Sequence, residues 1–259
     1  MSISRRGFLG AAAGLSALAL AGKSALEAQE PAAAPEPGHE PILEAGGRRW
    51  ALVIDPAKCL EEGECTKCLE ACHQAHNVPS ISDKAHEVKW IWKEPFEHTF
   101  PSLQTDYPPD ALRDKPFLVL CNHCDNPPCV RVCPTQATWK RDDGIVMMDW
   151  HRCIGCRYCV AACPYGSRSF NWTDPRPSIA KINPDFPTRS KGVVEKCTLC
   201  EERLAKGEAP ACVAACPAKA MVFGDLADPA SEVRSLLRSR FTIRRKPELG
   251  TRPAIYYIV

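Results

Sequence analysis

Cysteine is the residue through which this chain could do chemistry. Its sixteen copies fall into four groups of four, with none left over. The first reads Cys59-x5-Cys65-x2-Cys68-x3-Cys72 and the second Cys121-x2-Cys124-x4-Cys129-x3-Cys133. The third reads Cys153-x2-Cys156-x2-Cys159-x3-Cys163 and the fourth Cys197-x2-Cys200-x11-Cys212-x3-Cys216. All four close on the same Cys-x3-Cys step, and Pro134, Pro164 and Pro217 follow the last three. A motif used four times is an internal repeat and sets the architecture. Thiolates are soft metal ligands and the partners in disulfides and thioethers, so spacing must decide among these uses.

Cysteines two residues apart pair poorly as disulfides, and repeated quartets are not a disulfide framework. Covalent haem needs Cys-x-x-Cys-His. His73 follows Cys72, but the preceding cysteine is Cys68, and the haem motif occurs nowhere. Zinc modules usually offer two separated Cys-x2-Cys pairs, whereas the third group packs three cysteines into seven residues. That third group, with its proline, matches the [4Fe–4S] run of bacterial ferredoxins residue for residue. A cubane has four iron corners, each wanting one thiolate. A loop with cysteines at i, i+3 and i+6 wraps three corners, and its N–H groups point at the negatively charged cluster. The fourth cysteine lies a helical turn further on, faces a second cluster, and the proline redirects the chain. Four quartets predict four [4Fe–4S] clusters. A zinc-binding structural protein is the alternative from another class.

The elements that must position these loops are short. Apolar runs at 50–55, 117–120, 145–149, 193–196 and 221–223, bounded by Asp, Pro or Gly, predict strands beside the quartets. Short helices are expected at about 66–73, 160–164, 198–206 and 213–217. The fold class is α+β: two pseudo-symmetric bacterial-ferredoxin-like modules with long loop insertions. Residues 79–116, polar and rich in proline, read as a surface excursion with little regular structure, and 172–191 as a second one, slightly favoured as partner contacts. The tail from 231 carries Arg234, Arg238, Arg240, Arg244, Arg245 and Lys246 against Glu232. Its first half has helical spacing, and a solvated face is the expected use of the charge. Residues 254–259 are expected to close the fold as an edge strand. His73, His76, His123 and His151, all near cysteines, are candidates either to tune clusters by hydrogen bonding or to pack ordinarily.

Residues 1–28 open Ser4-Arg5-Arg6-Gly7-Phe8-Leu9, followed by an Ala/Gly/Leu stretch to Gly22. This reads as a twin-arginine signal peptide, too short for a membrane span. It predicts export of a folded, cofactor-loaded protein to the periplasm. Residues 29–48, rich in Pro, Ala, Glu and Gly, read as a flexible linker. Charge is nearly balanced, with 33 basic and 31 acidic residues in 259. Without residues 1–28, which hold Arg5, Arg6 and Lys23 against Glu27, the two signs are equal. No nucleic-acid-binding surface is expected from that balance. Aromatics make up only 7% of the chain, so bound cofactors are expected to substitute for part of a conventional core.

The order of the four quartets resembles the four-cluster ferredoxin-like iron–sulfur subunits of membrane oxidoreductases. That family includes NrfC and the electron-transfer subunits of dimethyl sulfoxide, polysulfide and tetrathionate reductases. The resemblance covers about 50–225. Within the family the signal segment, Cys65-Thr66-Lys67-Cys68 and the run Cys72-His73-Gln74-Ala75-His76-Asn77-Val78-Pro79 look most like the DsrO branch, from DsrMKJOP complexes linked to sulfur metabolism. The five-residue first gap departs from the two-residue gap usual in the family and singles out Cys59. The resemblance implies exchanged ligands: Cys59, Cys65, Cys68 and Cys216 on one cluster, and Cys72, Cys197, Cys200 and Cys212 on its neighbour. A third would take Cys121, Cys124, Cys129 and Cys163, and a fourth Cys133, Cys153, Cys156 and Cys159. The first module would then be discontinuous (49–116 and 190–230), with the second (117–189) inserted and 231–259 as a tail. The resemblance also implies a quinone-reactive NrfD-like integral membrane subunit as partner, further redox subunits, and membrane contact only through that partner. The alternative within the class is the electron-transfer subunit of a molybdopterin-dependent reductase. No nucleophile triad, nucleotide loop or substrate-orienting motif stands out, so the chain is not expected to be an enzyme alone.

Overall fold

The computed structural model describes residues 47–103 and 116–259. The segment read as a signal peptide (1–28), and all but the last two residues of the segment read as a linker (29–48), lie outside the described residues. In chain order the elements are β1 (Trp50–Ile54), α1 (Pro56–Glu61), α2 (Lys67–Ala75), β2 (Ile91–Pro95), α3 (Phe96–Thr99) and β3 (Pro116–Leu120). There follow α4 (Pro128–Arg131), β4 (Thr138–Lys140), β5 (Val146–Met148), α5 (Tyr158–Ala161), β6 (Ser169–Phe170) and β7 (Val194–Glu195). The last are α6 (Glu201–Leu204), α7 (Ala211–Ala214), β8 (Met221–Asp225), α8 (Glu232–Ser239), β9 (Thr242–Ile243) and β10 (Ile255–Ile258). This is a mixed helix-and-strand fold of ferredoxin type.

The largest sheet has the order β8-β1-β10-β9. β1 pairs antiparallel with β8 and parallel with β10, so that Leu52 sits between Phe223 and Ile255. Side chains alternate along a strand, and here both faces are covered. Leu52, Ile54, Ile255 and Tyr257 join a core that contains Cys68, Cys72, Cys121, Cys197 and Cys212. Ala51, Val53, Tyr256 and Ile258 face the other way, toward Val233 and Leu236 of α8. Two covered faces explain the unbroken apolar run at 50–54. They also overturn the edge-strand expectation for 254–259: β10 is an interior strand, and β9 is the edge. Truncating Leu52 to Ala in such a core would cost about 2–5 kcal/mol.

The expectation of an irregular surface excursion over 79–116 is also overturned, apart from 104–115, which lies outside the described residues. β2 pairs antiparallel with β3, from Ile91 opposite Leu120 to Pro95 opposite Pro116. Trp90, Ile91, Phe96 and Phe100 are buried. Phe100 meets Phe117 and Tyr257 edge-to-face, at centroid distances of 5.5 and 5.1 Å. Prolines at the ends of these elements mask an aromatic core in the composition. The basic tail departs from expectation in its second half. α8 forms as expected. Arg245, however, is buried and donates to the Thr99 carbonyl, and Lys246 donates to that of Pro164. Arg244 lies over the Tyr256 ring. These cations hold the chain end in place and are not a solvated face. Among the described residues no helix is long and apolar enough to cross a membrane.

Candidate metal centres

Three of the quartets are built on one backbone device. α4, α5 and α7 are each four residues long and carry the third cysteine of their quartet, Cys129, Cys159 or Cys212, as second residue. The fourth cysteine follows two residues after the helix ends. Its N–H bonds to the carbonyl three residues back, from Cys133 to Val130, Cys163 to Val160 and Cys216 to Val213. The proline that follows keeps the chain from resuming a helix. Three residues beyond each cysteine the chain turns left-handed, at Gln136 (φ 54°), Gly166 (φ 65°) and Lys219 (φ 49°). The turn wraps main-chain N–H groups around the sulfur. Ala220 N donates to Cys216 Sγ at 3.3 Å. Tyr165 and Ser167 N–H groups serve Cys163, and those of Thr135, Ala137 and Thr138 serve Cys133. In the third quartet Gly155 has φ +70°, and a Cβ there would come 2.3 Å from the Gly192 carbonyl, so the loop can approach 192 only as glycine.

The thiols assemble across quartets. Cys59, Cys65, Cys68 and Cys216 line one recess of about 370 Å³ between β1, α1 and the start of β8. Cys121, Cys124, Cys129 and Cys163 line a second, of about 330 Å³. α2 packs against α7, which sets Cys72 among Cys197, Cys200 and Cys212. α4 packs against α5, and Cys133, Cys153 and Cys159 border one apolar cluster. Cys156 stands half-buried on the same loop. The wide first gap does not remove Cys59 from its recess: α1 carries Cys59, ends at Glu61 within the gap, and the chain returns to place Cys65 beside it. All sixteen cysteines are unpaired thiols.

The donor chemistry fits iron–sulfur clusters. Burial, then neighbouring thiols, push Cys68 up to about 11, and Cys124 and Cys197 up to about 12. Cys72 and Cys212 lie well above the ordinary thiol range for the same reasons. Several buried thiolates coexist in one recess only when a cation holds them. Cys133 is the exception. Burial pushes it up, but the surrounding N–H groups win and hold it below the ordinary value. Main-chain N–H···S bonds of this kind, also from Leu199 to Cys197 and Ala211 to Cys200, stabilise sulfur-rich anions.

Of the four candidate histidines, His76 and His123 are buried beside the thiols, His73 is half-buried and His151 is exposed. His76 Nδ1 lies 2.8 Å from the Cys72 carbonyl and 3.7 Å from Cys72 Sγ, and Nε2 lies 3.0 Å from Glu202. His123 Nδ1 accepts from Val146 N at 3.1 Å. Burial first, then Lys196, Arg49 and Arg168, press the His123 ring toward its neutral form. Sequence reasoning missed the charged residues. Arg168 donates to Cys129 Sγ at 3.1 Å, Lys196 is wholly buried next to Cys197, and Arg189 pairs with Glu195 at 2.5 Å with both side chains buried. Lys196 carried a readable signal, since it sits in the expected strand 193–196 directly before a cysteine. Arg168 and Arg189 carried none. The 172–191 segment is partly a covering loop: Phe186 is buried, and Arg189 holds the carbonyls of His76 and Asn77.

Residues 116–179 and 183–226 match the 4Fe-4S dicluster domain family. The chain is similar to Hdr-like menaquinol oxidoreductase iron-sulfur subunit 1 of Archaeoglobus fulgidus, with 40% identity over 230 residues, 81% of this chain and 83% of the relative. It is similar to the arsenate respiratory reductase iron-sulfur subunit ArrB of Shewanella sp., 37% identical over 241 residues, 81% of this chain and 96% of the relative. Protein NrfC of Escherichia coli is 37% identical over 218 residues, 83% of each chain. With the thiol geometry, these likenesses show that the chain belongs to the 4Fe-4S dicluster family, as an iron–sulfur electron-transfer subunit of oxidoreductases and not a catalytic subunit.

Proposed function

We propose that this protein is an exported relay carrying four [4Fe–4S] clusters, held by the four exchanged cysteine sets named above. The observation that carries the reading is the recess in which Cys216 joins Cys59, Cys65 and Cys68 across more than half of the chain. When bound, the clusters supply one-electron chemistry. The chain's own residues provide the rest. Cysteines fix each site, N–H groups of the Cys-Pro turns stabilise negative charge on sulfur, and the apolar core around β1 limits water. Two pseudo-symmetric modules follow from this ligand exchange, the first discontinuous and the second inserted into it.

In this reading the partner is an NrfD-like quinone-reactive membrane subunit, with further redox subunits in a sulfur-metabolism-linked complex of DsrO type. The menaquinol oxidoreductase named for the Archaeoglobus relative supports a quinone-linked partner. Export to the periplasm by the twin-arginine route, with membrane contact only through the partner, completes the proposal. The likeness to an arsenate reductase subunit favours a second reading, as the relay subunit of a molybdopterin-dependent reductase. Anaerobic purification tests the cluster count. About sixteen irons and sixteen sulfides per chain, with spin-coupled signals on reduction, are expected for four cubanes. About twelve would remove one set, and zinc without sulfide would remove the relay. The subunits that co-purify from membranes separate the two complexes.

A further inference from the structure

Two buried cations stand among the thiols with no carboxylate to balance them. Lys196 is 0% exposed, and its ammonium donates to the main-chain carbonyls of Val146 and Cys197. Arg168 is 4% exposed and donates to Cys129 Sγ at 3.1 Å and to Thr138 Oγ1 at 2.7 Å. Among the described residues neither forms a salt bridge, whereas buried Arg189 has Glu195. The anionic neighbours of Arg168 are Cys129, Cys159 and Cys121, and those of Lys196 are Cys121, Cys197 and Cys129. Both therefore centre on the second recess. Arg168 lines it, as does Val146, whose carbonyl holds Lys196. Buried charge without a counter-charge costs several kcal/mol, so negative charge on sulfur must offset it.

Resting on the four-cluster reading, we infer that Arg168 and Lys196 set the cluster of Cys121, Cys124, Cys129 and Cys163 at the highest reduction potential in the chain. Reduction adds one negative charge to that cluster. Fixed buried cations stabilise the added electron, and low local dielectric strengthens the effect. No other set has both cations. Arg168 also hydrogen-bonds Cys159 of the fourth set, but Lys196 does not reach that set. Glu202 lies near Cys197 and Cys200 and opposes the reach of Lys196. At the first recess Glu62 stands with Lys93, which is partly exposed and so screened by solvent. Cys133, Cys153 and Cys156 are only half-buried, so solvent screens their neighbours. The electron thus rests at the second recess. Arg168 and Lys196 act through the field and touch no substrate, so they are positioning residues.

The test is an EPR-monitored redox titration of the anaerobically purified full chain, with iron and sulfide measured on every sample. Cys163→Ser identifies the signal of the second recess. That signal is expected to be the highest in potential in the unsubstituted protein. Arg168→Met and Lys196→Met are each expected to lower it by about tenfold in the reduction equilibrium, about 59 mV for one electron. Arg168→Lys and Lys196→Arg should keep most of the shift. Unchanged potentials in iron-replete Met variants would overturn the inference. So would a highest-potential signal that Cys163→Ser leaves untouched, and this arm decides the matter if the Met variants lose iron. A chain without iron would instead overturn the relay itself.

Discussion

The four quartets end in two different ways, and the contrast shows how one residue after the last cysteine decides where the sulfur finds its donors. After Cys133, Cys163 and Cys216, proline keeps the chain from resuming a helix and the chain curls back, so main-chain N–H groups reach sulfur. After Cys72 stands His73, which can stay helical. α2 therefore runs on to Ala75, and His76 N closes on the Cys72 carbonyl at 3.1 Å. The main-chain donors there are used inside the helix, and the His76 ring stands beside Cys72 Sγ in their place. A side chain has more freedom than a turn and must be held. Glu202 holds Nε2, while Arg189, fixed by Glu195, holds the carbonyls of His76 and Asn77. The Cys-Pro quartets are locally determined, and the first quartet depends on residues more than a hundred positions away.

The contrast can be broken at its distant support first. Glu195→Gln leaves Arg189 as a buried cation without its partner, with an expected cost of about 3–5 kcal/mol. Thermal unfolding followed by cluster absorbance should show a large fall in midpoint, and an unchanged midpoint would mean that the covering loop does not support α2. His73→Pro imposes the Cys-Pro stop on the first quartet. Proline in a helix interior costs about 3 kcal/mol. Iron analysis should show selective loss from the set containing Cys72. Full iron content would mean that either ending serves. His76→Leu removes the partner of Glu202 and a donor to the Cys72 carbonyl, worth about 1–3 kcal/mol. Adding Glu202→Leu should recover part of that loss in denaturant titrations, because an unpaired carboxylate is no longer left behind. The smallest effect tests the turn itself. Gly166→Ala places a side chain at φ +65° and should cost about 1 kcal/mol. Lys219→Gly at the equivalent turn should cost nothing or stabilise slightly.

Much of the site was legible from cysteine spacing alone, because the Cys-Pro device is local. Quartet, short helix and flanking strand lie within about thirty residues of one another, and the pattern of types fixes them. The strands at β1, β3, β5, β7, β8 and β10 lie where short apolar runs stand. What depended on distance was not legible. Trp90, Phe96 and Phe100 stand among prolines and charges, and only the pairing of β2 with β3 and the approach of Tyr257 make them a core. Arg245 and Lys246 look like a solvated basic tail until Thr99 and Pro164 supply carbonyls. Periodicity also misplaced β10, since four apolar residues do not reveal how many neighbours a strand has. α5 and α7 begin earlier than the expected 160–164 and 213–217, with the third cysteine already inside the first turn, and α4, built the same way, is not among the expected helices.

The position of β1 has a consequence for how the protein comes into being. This strand (Trp50–Ile54) is synthesised long before both of its neighbours, β8 (Met221–Asp225) and β10 (Ile255–Ile258). Its hydrogen-bonding edges stay open until β8 and β10 have both emerged from the ribosome. Folding from the N-terminus as the chain emerges, the ordinary order for domains, is therefore closed to this molecule. The sheet is a clasp shut by β10, and a ribosome that stops before Ile255 releases a chain whose central strand is exposed for aggregation. Synthesis of β10 becomes the checkpoint before maturation.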